Sequence, residues 1–227
     1  QILLHLGAQA FAQIVARFGG IERELGVAAG IEPRLEAVRA ELASGVSADY
    51  AASRGEYCCA LLLAAWLGAE FVEPAECVVI ESNGVVDPQT WDLLGARLAA
   101  TDRLYVMPGF YGRDAQGRVR TFTRGGSDVS GAIAARAAGA MLYENWTDVS
   151  GLLMADPRIV PDAKRIEEVS YAELRELSYM GANVLHGEAI FPVREPGIPI
   201  AIRNTKAPDE PGTMIVRSRV STYPVVG

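Results

Sequence analysis

Histidine and lysine are almost absent from this 227-residue chain. Its only histidines are His5 and His186, and its only lysines Lys164 and Lys206. The three cysteines, Cys58, Cys59 and Cys77, give neither a disulfide framework nor a CxxC pair. With two histidines to draw on, the composition argues against a zinc site, and no protein metal ligands are expected. A reducing, cytoplasmic compartment is the expectation. The longest nearly apolar run, residues 58–69, is too short to span a bilayer, and no signal peptide is visible. No GxxxxGK[ST] segment occurs, which excludes a P-loop, and no kinase-type Gly-rich loop is present. The net charge is −7, which argues against nucleic acid or an anionic membrane as partner. The scarcity of lysine also limits which residue can hold a phosphate.

Half of the residues are hydrophobic and 22% are charged, the balance of a soluble globular protein. The length allows one large domain or two small ones and a sizeable core. Apolar spacing predicts helices over 2–18, 34–42, 56–67 with Gly68 beyond its end, 88–99, 132–140 and 170–182. The last carries a capping box, Ser170 with Glu173. Strands are predicted over 77–80, 104–107, from 141 to about 146, over 198–203 and over 213–216. Residues 112–117 read as a hairpin turn. Arg17-Phe18-Gly19-Gly20 reads as a helix end with glycine at its C-cap. Strands alternating with helices predict an α/β domain with a largely parallel sheet, in which ligands bind at the carboxyl ends of strands.

The stretch Arg124-Gly125-Gly126-Ser127-Asp128 follows an extended segment and opens an Ala-rich helix. Paired glycines let the backbone turn tightly and approach a ligand. A helix N-terminus beside an Arg suits a phosphate or a carboxylate. An ordinary capped loop is the plain alternative. Five further segments keep a fixed order around it: Ser53-Arg54-Gly55-Glu56, Trp146-Thr147-Asp148-Val149, Gly151 to Arg158 with its Ala-Asp-Pro-Arg end, Gly181 to His186, and Pro211-Gly212-Thr213. Pro108-Gly109-Phe110 precedes the hairpin.

Together these motifs, from about Ser47 to Val216, resemble the catalytic domain of aspartokinases in the amino acid kinase family. The resemblance implies a three-layer α/β/α sandwich, the carbamate kinase-like fold, on a mainly parallel sheet of about eight strands. It implies a single catalytic domain over residues 1–227 and ATP-dependent phosphorylation of the β-carboxylate of L-aspartate or a similar amino acid. Mg2+ would be held mainly by the ATP phosphates. Family members commonly dimerise, so a homodimer is expected. Transfer to an ionised carboxylate needs no general base; the work is positioning two anions and neutralising charge. The resemblance assigns Glu56 to the substrate ammonium, Arg124 to its carboxylate, and Gly126 and Ser127 to substrate contacts. It makes Asp128 an acid that organises the phosphate-binding cations, so Arg124 and Asp128 form the catalytic pair. Thr147, Asp148, Leu153, Arg158, Asn183 and Val184 fall at nucleotide positions. A carboxylate in the first turn of a helix is the structural alternative for Glu56, and a salt bridge that for Arg158. Asp156 before Pro157 reads as a turn former, and His186 as structural.

The chain departs from the pattern in three ways. No Lys-Phe-Gly-Gly-Thr-Ser segment is present, and the start at Gln1 rather than Met implies missing residues before it. Asn183 stands where the family has Lys, with Leu153 for Tyr and Gly187 for Pro. No paired regulatory ACT domains follow. Two other readings therefore stay open: a related kinase acting on another amino-acid carboxylate, and a catalytically weak paralogue that binds a ligand or partner subunits.

Overall fold

The computed structural model describes residues 2–123, 125–156, 158–179, 185 and 190–219. The chain divides into two compact units, residues 1–121 and 122–227, and each is described by itself.

The first unit opens with three helices: α1 (Ile2–Leu25), α2 (Ile31–Ala43) and α3 (Ala48–Leu67). Ile31, Leu35, Cys58 and Leu62 form their buried core, with Phe11, Val15, Phe18 and Ile21 packed against it. Those apolar residues recur at helical spacing through Gly19 and Gly20, so α1 does not end there as expected. Packing outweighs the roughly 1 kcal/mol that glycine costs inside a helix, and the helix runs to Leu25. Helix α3 also starts earlier than its apolar stretch suggests. Ser47 takes extended geometry and its hydroxyl accepts from the Tyr50 amide, supplying an N-cap nine residues upstream of the predicted start. The far end closes at Gly68 with φ 63°, as predicted.

Strand β1 (Glu70–Phe71) pairs in parallel with β2 (Tyr105–Val106). Residues 77–80 do not form the expected strand. Pro74 at the first turn and the Glu73 side-chain cap start a short helix, α4 (Pro74–Cys77), instead. Val79 and Ile80 then make single bridges. After α5 (Gln89–Arg97), strands β3 (Tyr111–Arg113) and β4 (Val119–Thr121) form the predicted antiparallel hairpin. Asp114 builds its turn, with Oδ1 accepting from the amides of Gln116 and Arg118 at 2.9 Å. The Asp49 carboxylate accepts from the amide and hydroxyl of Thr121, at 3.3 and 3.0 Å, which ties the hairpin to the first turn of α3.

The second unit holds α6 (Gly126–Ala137), β5 (Tyr143–Thr147), β6 (Glu168–Ser170), α7 (Tyr171–Tyr179), α8 (Phe191–Arg194), β7 (Ile200–Asn204) and β8 (Thr213–Val216). Its sheet order is β5-β7-β8-β6. β5 and β7 are parallel, β7 and β8 antiparallel, and β8 and β6 parallel. Ile200, Ile202, Ile215 and Val169 are fully buried at its core. The eight strands of the described residues thus pair in three groups of two, two and four. The capping box on α7 forms as predicted. Glu173 accepts from the Ser170 amide at 2.7 Å, and the Glu173 amide donates to Ser170 Oγ at 3.2 Å. Arg219 adds two bonds to the same carboxylate, at 2.7 and 2.8 Å.

Candidate active site

The register of the second sheet decides which loops meet. Thr147 pairs with Asn204, the last residues of β5 and β7, and Ile202 pairs with Thr213, the first residue of β8. The carboxyl ends of two parallel strands therefore share one edge with the start of β8, the kind of edge where α/β sheets bind ligands.

Hydrogen bonds knit that edge together. The Thr147 carbonyl accepts from the amide and hydroxyl of Thr205, at 2.8 and 3.0 Å. Asn204 Nδ2 donates to Ser150 Oγ at 2.8 Å. Thr147 Oγ1 donates to Asp148 Oδ1 at 3.4 Å. The segment after β5 is held by a short antiparallel pairing. The Ile166 amide donates to the Leu152 carbonyl, and the Met154 amide to the Lys164 carbonyl, both at 2.8 Å. Leu153 lies on that stem, bridged to Arg165. Thr213 is fully buried beneath it, and its hydroxyl accepts from the Leu152 amide at 2.9 Å and donates to the Ile166 carbonyl at 2.6 Å.

Arg158 stands beyond this stem with 89% of its side chain exposed, and its guanidinium lies against Asp156 at 2.6 Å. Asp156 Oδ1 also accepts from the Arg158 amide, which makes it the turn former read from the sequence. The Arg158 hydrogen bonds hold the Asp156 carboxyl down at about 2. Such an exposed pair is weak, so a polyphosphate can compete for the guanidinium.

Helix α6 begins at Gly126, at the glycine turn the motif marks and six residues before the 132–140 range read from apolar spacing. Gly125 is the N-cap at φ 55°, a left-handed geometry open to glycine at little cost. Ser127 and Asp128 fall in the first turn. The Asp128 carboxylate does not simply cap the helix. Its Oδ1 accepts from Asn145 Nδ2 at 2.9 Å, and its main-chain carbonyl accepts from the Tyr143 hydroxyl at 3.2 Å. Tyr143 and Asn145 stand two apart on β5 and so share a face. Sequence reasoning missed both. The available signal was a buried asparagine on a strand, a group that requires partners. On the other face, Trp146 stacks under the Arg203 guanidinium at 5.3 Å.

Glu56 is exposed, nine residues into α3. It is not in a first turn, so the helix-end explanation for this carboxylate does not hold. One residue pair upstream, Arg54 lies over the rings of Tyr50 and Tyr57 at 4.4 and 4.7 Å and donates to Ser53 Oγ. Arg124, Asn183, Val184 and His186 lie outside the described residues. Among the described residues, no group of three or more His, Cys, Asp or Glu is placed to hold a metal ion.

A glycine-started helix beside the carboxyl ends of parallel strands, with the motif order above, is the arrangement expected of the amino acid kinase family. The model of the amino acid kinase family matches residues 1–204, and the chain belongs to that family. Within it, the similarity is to aspartokinases. Aspartokinase 3 of Bacillus subtilis is 42% identical over 164 residues, 70% of this chain and 36% of that protein. The crystal structure of Clostridium acetobutylicum aspartate kinase matches with 48% identity and a TM-score of 0.84, covering 92% of this chain and 47% of that one. Escherichia coli aspartokinase III in complex with aspartate and ADP matches at 31% identity and a TM-score of 0.73, over 85% of this chain and 47% of that one. The chain therefore shares their α/β fold and spans less than half the length of these relatives.

Proposed function

We propose that this chain is the catalytic part of an aspartate kinase, transferring the γ-phosphoryl group of ATP to the β-carboxylate of L-aspartate. The observation that carries the reading is the Gly125-started helix α6, with Asp128 bonded to β5, in a chain similar to an aspartokinase crystallised with aspartate and ADP. The single family match runs across both compact units, which supports one catalytic domain.

In this reading Glu56 holds the substrate ammonium and Arg124 pairs with its carboxylate in a bidentate fork. Gly126 and Ser127 add contacts at the positive end of α6. Asp128 fixes the cationic groups around the transferred phosphoryl. Thr147, Asp148, Leu153, Arg158, Asn183 and Val184 surround the nucleotide, with Arg158 exchanging Asp156 for phosphate. Mg2+ arrives on the ATP phosphates. The reaction takes place in the cytoplasm, and the working assembly is a homodimer. No helix of the described residues is long and apolar enough to cross a membrane.

The test is the full-length protein with ATP, Mg2+, L-aspartate and hydroxylamine, which traps the acyl phosphate as a hydroxamate. Aspartyl hydroxamate is the expected product. Product from another amino acid alone refutes the choice of substrate. Asn183, uncharged where the family has Lys, favours a second reading, a weak ligand-binding paralogue; ATP binding with no turnover of any acid selects it.

A further inference from the structure

Asn145 is 8% exposed, and both protons of its amide are used. One goes to Asp128 Oδ1 and the other to the Tyr143 hydroxyl oxygen, each at 2.9 Å. The Tyr143 hydroxyl in turn donates to the Asp128 main-chain carbonyl at 3.2 Å. Three bonds thus close a ring through two residues of β5 and one of α6. Gly131, one turn further along α6, makes the ring possible, since a Cβ there would lie 2.6 Å from the Tyr143 hydroxyl. The helix is brought against the Tyr143 ring, and the ring in turn aims the amide. Burial pushes the Tyr143 hydroxyl up to about 12, so it stays a neutral donor at working pH.

We propose that Asn145 is a positioning residue that holds the Asp128 carboxylate in its working orientation, with Tyr143 as its brace. This rests on reading Asp128 as the acid that organises the cations around the transferred phosphoryl. A charge-assisted bond to one carboxylate oxygen fixes both the torsion and the direction of the second oxygen. Without it Asp128 keeps its charge and loses its aim. A misplacement of about 1 Å at a reacting centre can cost about 100-fold in rate.

The experiment follows ADP release by the full-length protein against pH, with ATP, Mg2+ and L-aspartate. Asn145→Ala is expected to lower kcat by about 10- to 100-fold, within the range of such misplacements, while the KM for aspartate stays within a factor of about two. Asn145→Asp gives the distinctive readout. Two carboxylates this close cannot both ionise without repulsion, so they share a proton at low pH. The shared proton replaces the amide donor, and its loss turns Asp128 away. The kcat of Asn145→Asp should therefore fall from pH 6 to 8.5 relative to the parent protein. A merely structural role would lower stability and leave the shape of that profile unchanged.

Asp128→Ala separates the two layers of the argument. If it is inactive while both Asn145 variants keep the parental kcat and pH profile, the positioning role is overturned and the reading of Asp128 stands. If Asp128→Ala keeps the parental kcat, that reading falls and takes this inference with it. Should the Asn145 variants not fold, Tyr143→Phe decides. A several-fold loss of kcat at unchanged KM supports the relay, and an unchanged kcat overturns it.

Discussion

Replacing Thr213 by Val tests how the edge formed by the ends of β5 and β7 and the start of β8 is held. The two side chains have nearly the same shape, so the change removes a hydroxyl and little else. That hydroxyl satisfies the Leu152 amide and the Ile166 carbonyl, and all three residues are buried. Leaving one such group without a partner costs about 1–3 kcal/mol. Gly151 packs tightly on the hydroxyl, since a Cβ built there would lie 2.3 Å from Thr213 Oγ1. A methyl in place of the oxygen would also press on the Ile166 carbonyl, bonded at 2.6 Å. The two orphaned groups together come to about 2–6 kcal/mol, before any overpacking. At about 2–4 °C per kcal/mol for a chain of this size, Tm should fall by roughly 10 °C. Thr213→Ser keeps the hydroxyl and should lose only about 1 kcal/mol, near the worth of one buried methyl. Thermal unfolding of the full-length proteins gives the comparison, and hydrogen exchange localises it. The Leu152 amide should lose protection in Thr213→Val and keep it in Thr213→Ser. On the proposed reading ATP affinity should weaken alongside, because the freed segment carries Leu153 and leads to Arg158. Equal Tm values for the two variants, with the Leu152 amide still protected, would refute the reasoning.

Three other outcomes can be measured, two resting on the structure and one on the proposed substrate role of Arg124. Gly212 has φ 70° and a Cβ there would meet the Ile202 carbonyl oxygen at 1.8 Å, whereas Gly117 has φ 80° with open space around it. Gly212→Ala should therefore cost well beyond the roughly 1–2 kcal/mol of a left-handed alanine that Gly117→Ala measures, and matching melting curves would count against it. The Arg219 hydrogen bonds hold the Glu173 carboxyl down at about 2, from an ordinary 4.5. A depressed carboxyl stabilises above its unfolded value and loses that contribution as pH falls through its folded one. The Tm gap between parent and Glu173→Gln should be widest near neutral pH and shrink between pH 4.5 and 2; a constant gap contradicts the assignment. On the proposed reading, Arg124→Ala should raise the KM for aspartate by at least tenfold, since a bidentate charge-assisted contact is worth about 1.5–3 kcal/mol. Steady-state kinetics showing unchanged KM and kcat would remove Arg124 from the substrate site.

Features written in neighbouring residues were legible from the sequence. The capping box of Ser170 and Glu173, the Asp114 turn and the glycine start of α6 each depend on contacts within a few positions. Features decided at a distance were not. The Gly19-Gly20 pair looks like a helix end until the three-helix core shows what Phe18 and Ile21 pack against. Glu56 looks like a first-turn carboxylate because Ser53 and Gly55 mimic a start, while the operative cap is Ser47. The division of the strands into three groups depends on pairing between remote segments, which periodicity does not encode. At the site, the motif residues were readable as a linear order. Asn145 was not, because the carboxylate it holds lies 17 positions away.

Arg219 has a practical consequence for anyone drawing a boundary on this fold. Among the described residues the last strand ends at Val216, and a boundary set there would keep every described ladder of the second unit's sheet. It would also remove the guanidinium that grips Glu173, and with it half the partners of the carboxylate that starts α7. The helix N-terminus would then rest on Ser170 alone. The folded unit outlasts its own β-structure by at least three residues, so a shortened chain should be judged by whether it retains Arg219, not by whether its sheet is complete.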